Sequence, residues 1–215
     1  MGVRTLKTFI MGALARANAP FLALALSLST VPFSPSAFAG WRDQASPADV
    51  ERLQQLSQIR DAALADAQHG EGRGDWRAIP RVMQPEGRAV PANALVGNWR
   101  CRQIKLGRMT SYMVYDQWFS CNIRPFNGGL LLQKMNGSQR FVGFLFPENG
   151  AWVYLGASSA RGEPWHNYSG ASPALGAQVT PDDQIGLLTG IGDNRLRLEI
   201  PAVQESLLDV VEFAR

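Results

Sequence analysis

The turn signals of residues 95–215 constrain the fold more than any other feature of this sequence. Asparagine or aspartate stands beside glycine at four candidate turns, and such pairs tolerate the positive φ angles that tight hairpin turns require. The four signals are Asn127-Gly128, Asn136-Gly137, Asn149-Gly150 and Gly192-Asp193-Asn194. Between and around them lie short apolar segments, some with clear period-two alternation. This part of the chain is therefore predicted to be a series of antiparallel hairpins.

About eight such strands follow Leu95, and short turns join nearly all of them. An antiparallel meander of this length exposes its edges unless it closes, and about eight strands close into a small barrel. We therefore expect a mainly β fold with a barrel domain over residues 95–215, and an open sandwich is the alternative. In RLRLEI (195–200), the leucine face is expected to point inward and the face of Arg195, Arg197 and Glu199 to be wet.

One amphipathic helix is predicted before the barrel. Ser46 suits an N-cap and Pro47 the first helical position, and apolar residues then recur every three or four positions as far as Ala67. Residues 40–94 are thus predicted to be an N-terminal helix followed by a linker. The predicted strand over 141–146 is apolar on both faces, so we expect the helix to cover its outer face.

Residues 1–39 have the pattern of a secretory signal peptide. They contain three cations and no acid, then an apolar stretch at 21–33, and small residues stand just before Gly40. The apolar stretch is short for a membrane span. We therefore expect cleavage, no membrane span in the mature chain, and a periplasmic or secreted protein. An uncleaved membrane anchor is the alternative.

Export would change the charge balance. The whole chain has 21 Lys+Arg and 18 Asp+Glu, which gives a net charge of +3. Residues 1–39 hold three of the cations, so 18 charges of each sign remain in the mature chain. A chain with no net charge has no overall field that attracts phosphates, so nucleic acid is not an expected partner.

The two cysteines are expected to form a disulfide. Cys101 and Cys121 are an even pair, and pairs in exported proteins usually oxidise; two buried thiols are the alternative. Alternation places Gly97, Trp99 and Cys101 on one strand face, and pairing with Cys121 would direct that face inward. The glycine would leave room for neighbouring backbone, and the indole would fill one end of the barrel.

Two resemblances support a barrel. The Gly-x-Trp of LVGNWRCRQIKLG (95–107) resembles the first strand of lipocalins, which implies a calycin-like barrel. The chain also resembles small periplasmic barrels that inhibit metalloproteases, with a Trp and a disulfide near the first strand. GNWRCRQIKLG, WFSCNI, GSQRFVGFLF, YLGA and ESLLDVVEF, in this order, resemble an exported bacterial family, domain of unknown function 4893. The family resemblance implies no activity and no catalytic residues.

The long connection 157–181 carries the candidate binding site. It breaks the strand pattern and contains GEPWHNYSG, with Glu163, Trp165, His166 and Tyr168. An ionisable ring, a carboxylate and two aromatic rings on one loop could bind a ligand or supply a general base. A surface loop anchored by Trp165 is the alternative. No nucleophile, phosphate-binding or zinc motif is present, so no cofactor and no metal are expected.

The sequence therefore predicts a non-catalytic binding module of the cell envelope. Its partner is expected to be a small apolar ligand inside the barrel, or a protein at the 157–181 loop. Two alternatives remain: inhibition of an exported protease through the stretch 40–45, and an enzyme using His166 and Glu163. An apolar carrier needs an internal cavity of a few hundred Å³. A barrel filled by Trp99, Phe119 and Leu130 would exclude that role.

Overall fold

The computed structural model describes residues 40–170, 180–202 and 204–215. The predicted signal peptide (1–39) and residues 171–179 of the predicted loop lie outside these described residues. The helices are α1 (Trp41–Gln44), α2 (Pro47–Gln54), α3 (Leu56–His69), α4 (Ala78–Met83) and α5 (Ala92–Leu95). The strands are β1 (Gly72–Arg73), β2 (Gly97–Leu106), β3 (Tyr112–Val114), β4 (Phe119–Phe126), β5 (Gly129–Lys134), β6 (Gln139–Glu148), β7 (Ala151–Ala160), β8 (Asp183–Gly192), β9 (Arg195–Pro201) and β10 (Leu208–Ala214).

Eight of the strands in the described ranges form a closed antiparallel barrel. From β4 to β10 each strand pairs with the next, β10 pairs with β2, and β2 pairs with β4, which completes the ring. An open meander has two edge strands with unpaired backbone groups, whereas the closed ring has none. The predicted barrel of about eight antiparallel strands is therefore confirmed.

The asparagine–glycine pairs occupy the hairpin turns as predicted. Asn127 and Gly128 connect β4 to β5 with φ angles of 48° and 83°, and the pair between β6 and β7 has the same two values. Positive φ at both central residues gives the turn a twist that matches the flanking strands. The turn chemistry therefore fixes the register of these two hairpins.

Residues 70–94 contain more structure than the predicted linker. They hold β1, α4 and most of α5, and Ile79 and Val82 of α4 are fully or almost fully buried. β1 pairs with β3, which pairs with the second half of β2 outside the ring. A two-residue strand and a six-residue helix are too short to show a period, so alternation could not reveal them.

The predicted N-terminal helix is divided in two at Gln55. Its start is as predicted, since the Ser46 Oγ accepts a hydrogen bond from the Asp49 N–H at 3.1 Å and Pro47 is the first helical residue. The helical region packs on the outer wall of the barrel. There Val50 and Leu53 of α2 pack against an apolar cluster that contains Phe146 of β6 and Ile185 of β8. This helix lies mainly over β8, so the predicted cover of the 141–146 strand is met only in part.

The predicted wet face of β9 is buried, and that expectation was wrong. Arg197 is 5% and Glu199 0% exposed. Glu199 accepts a hydrogen bond at 2.5 Å from Arg60 of α3, and Arg197 donates to the carbonyls of Val82 and Met83 at the end of α4. Helices cover this face, and its charges are tolerated because they are paired.

Candidate functional site

Large side chains fill one end of the barrel, which we call the apolar end: the end where β2 begins at Gly97. Trp99 is 4% exposed, and its indole N–H donates to the Leu95 carbonyl at 2.8 Å. Trp152 donates in the same way to the Val90 carbonyl at 2.8 Å. The chain segment 90–95 thus closes the barrel over these two indoles. The buried cluster begins at this end and continues along the barrel interior as far as Phe141 and Ile200, near the opposite end. It comprises Leu95, Trp99, Cys101, Cys121, Ile123, Leu130, Leu132, Phe141, Leu145, Tyr154, Leu188, Leu196, Leu198, Ile200, Val211 and Phe213.

A broad groove lies over the apolar end and is open to solvent. Trp41, Leu130 and Trp152 are among its walls. Gly40, the first described residue, also lines it. The groove therefore defines no enclosed apolar site.

The predicted disulfide joins Cys101 of β2 to Cys121 of β4. Their Cα atoms are 5.8 Å apart, and both residues are buried. Gly97 has a φ of 134°, and a Cβ there would lie 2.9 Å from the Arg215 guanidinium. That guanidinium lies 3.9 Å from the centre of the Trp99 ring and donates to the Leu95 carbonyl. Gly97 therefore makes room for a cation over the indole, where the sequence suggested neighbouring backbone.

The opposite end of the barrel, which we call the polar end, has a small cavity of about 70 Å³. It lies where β2 ends and β10 begins. The residues that line it include Gln103, Lys105, Gln139, Ser158, Gln184 and Asp209, with Arg52, Arg140, Asp183 and Glu205. The polar side chains of β2 point inward because they continue the alternation of Trp99 and Cys101 along the same strand.

The charged groups of the polar end are paired with one another. The Lys105 ammonium forms an ion pair with Glu205. Burial lowers the pKa of Lys105, but the charges of Asp209 and Glu205 outweigh it, so this pKa is raised overall. Asp209 accepts hydrogen bonds from Ser206 at 2.5 Å and from Gln103 at 3.2 Å. Burial raises the Asp209 pKa, although the nearby Lys105 opposes that effect.

Lys134 lies beside the cavity and is held differently. It is 2% exposed, and its ammonium donates to the Gln139 carbonyl and lies 4.1 Å from the centre of the Phe119 ring. No carboxylate among the described residues forms an ion pair with it. Burial, with a contribution from the charge of Lys105, lowers the pKa of Lys134 to about 8.

Two of the predicted site residues form part of the surroundings of this cavity. The Trp165 ring stacks under the guanidinium of Arg140, 4.4 Å away, and Arg140 lines the cavity. Arg140 also donates to the Glu163 carbonyl at 2.6 Å. The Glu163 carboxylate is used locally, since it accepts the Ala160 N–H at 3.0 Å.

His166 and Tyr168 make separate contacts. The His166 Nδ1 lies 3.3 Å from the Asp182 carboxylate, and both side chains are more than one third exposed. The Tyr168 hydroxyl donates to Asp49 and accepts the Ser46 N–H at 2.9 Å, which ties the loop to the start of α2. Burial raises the Tyr168 pKa, opposed by the hydrogen bond from Ser46. The binding role of these four residues stays a prediction, and the structure does not gather them into one cluster.

The stretch 40–45, which protease inhibition would require to be free and extended, is folded. It forms α1, Trp41 is 4% exposed, and its indole donates to Glu148 at 3.0 Å. The observation that motivated the inhibitor alternative is therefore missing from this segment.

Sequence reasoning missed the residues of the polar cavity. A signal for them existed in the strand alternation. Gln103 and Lys105 are an even number of residues from Trp99 and therefore share its inward face, and Asp209 shares the inward face of Phe213 in the same way. Polar residues on the inner face of a predicted barrel mark the end at which the barrel is not a dry core.

Other site types find no support in the described residues. Among them, no group of three His, Cys, Asp or Glu side chains could hold a metal ion. Within the same ranges, no helix is both long and apolar enough to cross a membrane.

Fold and cavity together define a class of protein: a small closed antiparallel β-barrel with helices outside and one polar end. The chain belongs to the family described as a domain of unknown function, DUF4893, whose model matches residues 41–213. No protein of curated function matches it. Among solved structures, a redesigned β-barrel is similar at 10% identity over 60% of this chain and 98% of that chain, with a TM-score of 0.37.

Proposed function

We propose that this protein is an exported, non-catalytic binding module whose ligand enters the polar end of the barrel. The supporting observation is the contrast inside one barrel: a filled apolar end and a hydrogen-bonded polar cavity. The interior of a small barrel is normally filled by side chains, so a cavity lined by polar side chains at one end offers a polar ligand hydrogen-bonding groups that a dry core would not. This proposal replaces an apolar ligand with a polar one.

The size of the cavity limits what can enter. About 70 Å³ accommodates a few water molecules or one small polar group, whereas sites for whole small molecules usually occupy about 300–1,000 Å³. The ligand therefore inserts one polar group, and its remainder lies on the rim. Arg140 and the Trp165 ring stacked on it are the rim groups best placed to meet that remainder.

Export is the second part of the proposal. The basic, apolar and small-residue pattern of 1–39 supports it, and a disulfide between Cys101 and Cys121 is typical of oxidising compartments. Mass analysis of protein from the periplasmic fraction of its own host tests this part. A chain that starts at Gly40 is expected in that fraction. An uncleaved chain found in the cytoplasmic fraction would contradict export.

A cavity-filling variant tests the binding role. Ser158 lines the cavity, so Ser158→Leu should fill most of it, and Ser120→Leu makes the same change on the exposed outer wall. We expect native mass spectrometry of protein from its own host to show a bound small molecule on wild type and Ser120→Leu. Ser158→Leu should lose it. A molecule retained equally by Ser158→Leu would contradict a ligand at the polar end.

A further inference from the structure

Apart from the Arg140 Nε at the rim, two buried polar atoms on the inner wall at the polar end have no hydrogen-bond partner among the described residues. They are the hydroxyl of Tyr154, a residue that is 0% exposed, and the side-chain carbonyl oxygen of Gln184. Burial raises the pKa of Tyr154, so its hydroxyl keeps its proton and remains a neutral donor. Unpaired buried groups of this kind are rare in folded proteins and commonly indicate a bound water or ligand.

The two atoms belong to the same part of the barrel. The Tyr154 ring runs along the inner wall over Gly143 and Gly156, so that a Cβ on Gly156 would lie 2.2 Å from the hydroxyl. Gly156 is the register partner of Gln184 on the neighbouring strand, and Gln184 lines the cavity. The phenol therefore points from the filled core toward the polar end, and its hydroxyl lies beside the strand position that faces Gln184.

Most charged groups at the polar end already have charged or hydrogen-bonding partners, and the two cations without a carboxylate partner among the described residues, Lys134 and Arg140, donate to backbone carbonyls. Lys105 is paired with Glu205, Arg52 with Asp49, and Asp209 accepts two hydrogen bonds. Asp183 accepts a hydrogen bond from the Ser169 N–H at 2.9 Å. A cationic ligand group would have to break one of these arrangements, and breaking a buried ion pair is strongly unfavourable. An anionic group could meet only Lys134 or Arg140, which is why an anionic probe is part of the test.

We infer that the group inserted into the polar end is an uncharged hydroxyl, which accepts from the Tyr154 hydroxyl and donates to the Gln184 side-chain oxygen. This inference rests on the proposed function. A hydroxyl is both donor and acceptor, which matches one free donor and one free acceptor. The ligand class is therefore a neutral hydroxylated compound, such as a polyol or the terminus of a sugar.

Glycerol is the probe for this class, and acetate is the matched anionic probe of similar size. The measurement is the ¹H–¹⁵N signal of the Gln184 side-chain amide during titration of the mature protein with each probe. We expect a saturable shift with glycerol and none with acetate. Tyr154→Phe and Gln184→Met each remove one hydrogen-bonding group with little change in volume. Each should weaken glycerol binding by about fivefold to tenfold. Binding to the Gln184→Met variant is followed through the Tyr154 ring signals.

Tyr112→Phe is the matched control, because its ring packs on Trp76 outside the barrel, and glycerol binding should be unchanged. Thermal unfolding of each variant shows that it is folded. Acetate binding that is lost in Lys134→Met would overturn the neutral class and leave a polar-end ligand standing. If neither glycerol nor acetate shifts the Gln184 signal, the two unpaired atoms are satisfied by a bound water alone, and the hydroxyl inference is overturned. Ligand retained by Ser158→Leu overturns the proposed function itself, whatever glycerol does.

Discussion

The two ends of the barrel are built from the same strands, and the same faces of those strands point inward at both ends. The inward side chains are apolar at one end and polar or charged at the other. At the apolar end, Trp99 is buried and Trp152 partly buried, and the indole N–H of each donates to a backbone carbonyl. At the polar end, Lys105, Lys134 and Asp209 are buried and hydrogen-bonded. The apolar end stabilises the fold through removal of apolar surface from water, whereas the polar end gives up some of that stability.

The comparison separates the end of the barrel that stabilises the fold from the end that we propose binds a ligand. Substitutions at the apolar end should lower the free energy of unfolding and leave the polar cavity intact. Substitutions at the polar end should change binding or pH dependence with smaller losses of stability. Sites at opposite ends share few contacts, so their effects should be nearly additive.

The largest effect is expected from Trp99→Ala. Removal of the indole leaves a cavity in the filled end, and such truncations cost about 3–5 kcal/mol of unfolding free energy. Urea unfolding measures the loss. Trp118→Ala is the control, because Trp118 is only partly buried and its contacts include Arg100 at 5.2 Å on the outer wall. A loss for Trp99→Ala no larger than that for the control would break the assignment of the apolar end as the stabilising one.

Local signals made the fold predictable from the sequence. Turn chemistry at Asn127-Gly128 and the alternation of the flanking strands act over a few residues, and the eight predicted strands all occur. The burial of the charged face of β9 was not predictable in this way. It depends on Arg60, which lies 139 residues before its partner Glu199, and no local pattern reports such a contact.

The site was predictable only in part, for the same reason. The 163–168 loop was found from its composition, and Trp165 does contact a residue of the cavity wall. Tyr168 instead contacts Asp49, 119 residues away, which composition cannot show. The inward direction of Lys105 was open to prediction from parity, but the space left beside it depends on how the whole barrel packs.

A pH-dependent effect of intermediate size should separate the two lysines of the polar end. The pKa of Lys134 is about 8 in the folded protein and 10.5 is its ordinary value. Below pH 8 both states are protonated and the folded state bears the full penalty of the buried charge. Between these two values only the unfolded state keeps the proton, so stability rises with pH, by about 1–3 kcal/mol.

Lys134→Met removes that rise, so the difference between wild-type and variant unfolding free energies should change from pH 8 to 10.5. Lys105→Met is the matched control. The pKa of Lys105 is raised by Asp209 and Glu205, so its stabilising charge persists through this window and is lost only above it. A rise in stability between pH 8 and 10.5 that persists in Lys134→Met would show that another group titrates in this range. Lys134 would then not be the buried cation whose pKa is lowered.

The smallest effect on stability is expected at the rim of the polar cavity, where a variant can be compared with its equivalent at the apolar end. Trp165→Leu removes the ring under Arg140, and an exposed cation–π contact of this kind is worth about 0.5–1 kcal/mol. Phe126→Leu removes the equivalent ring under Arg124, 4.9 Å away, at the opposite end of the barrel. The two variants should lose similar unfolding free energy in urea. Glycerol binding should weaken only in Trp165→Leu, because only that ring borders the polar cavity. Equal weakening in both would mean that the ends communicate through the barrel wall, and the separation of binding from stability would then fail.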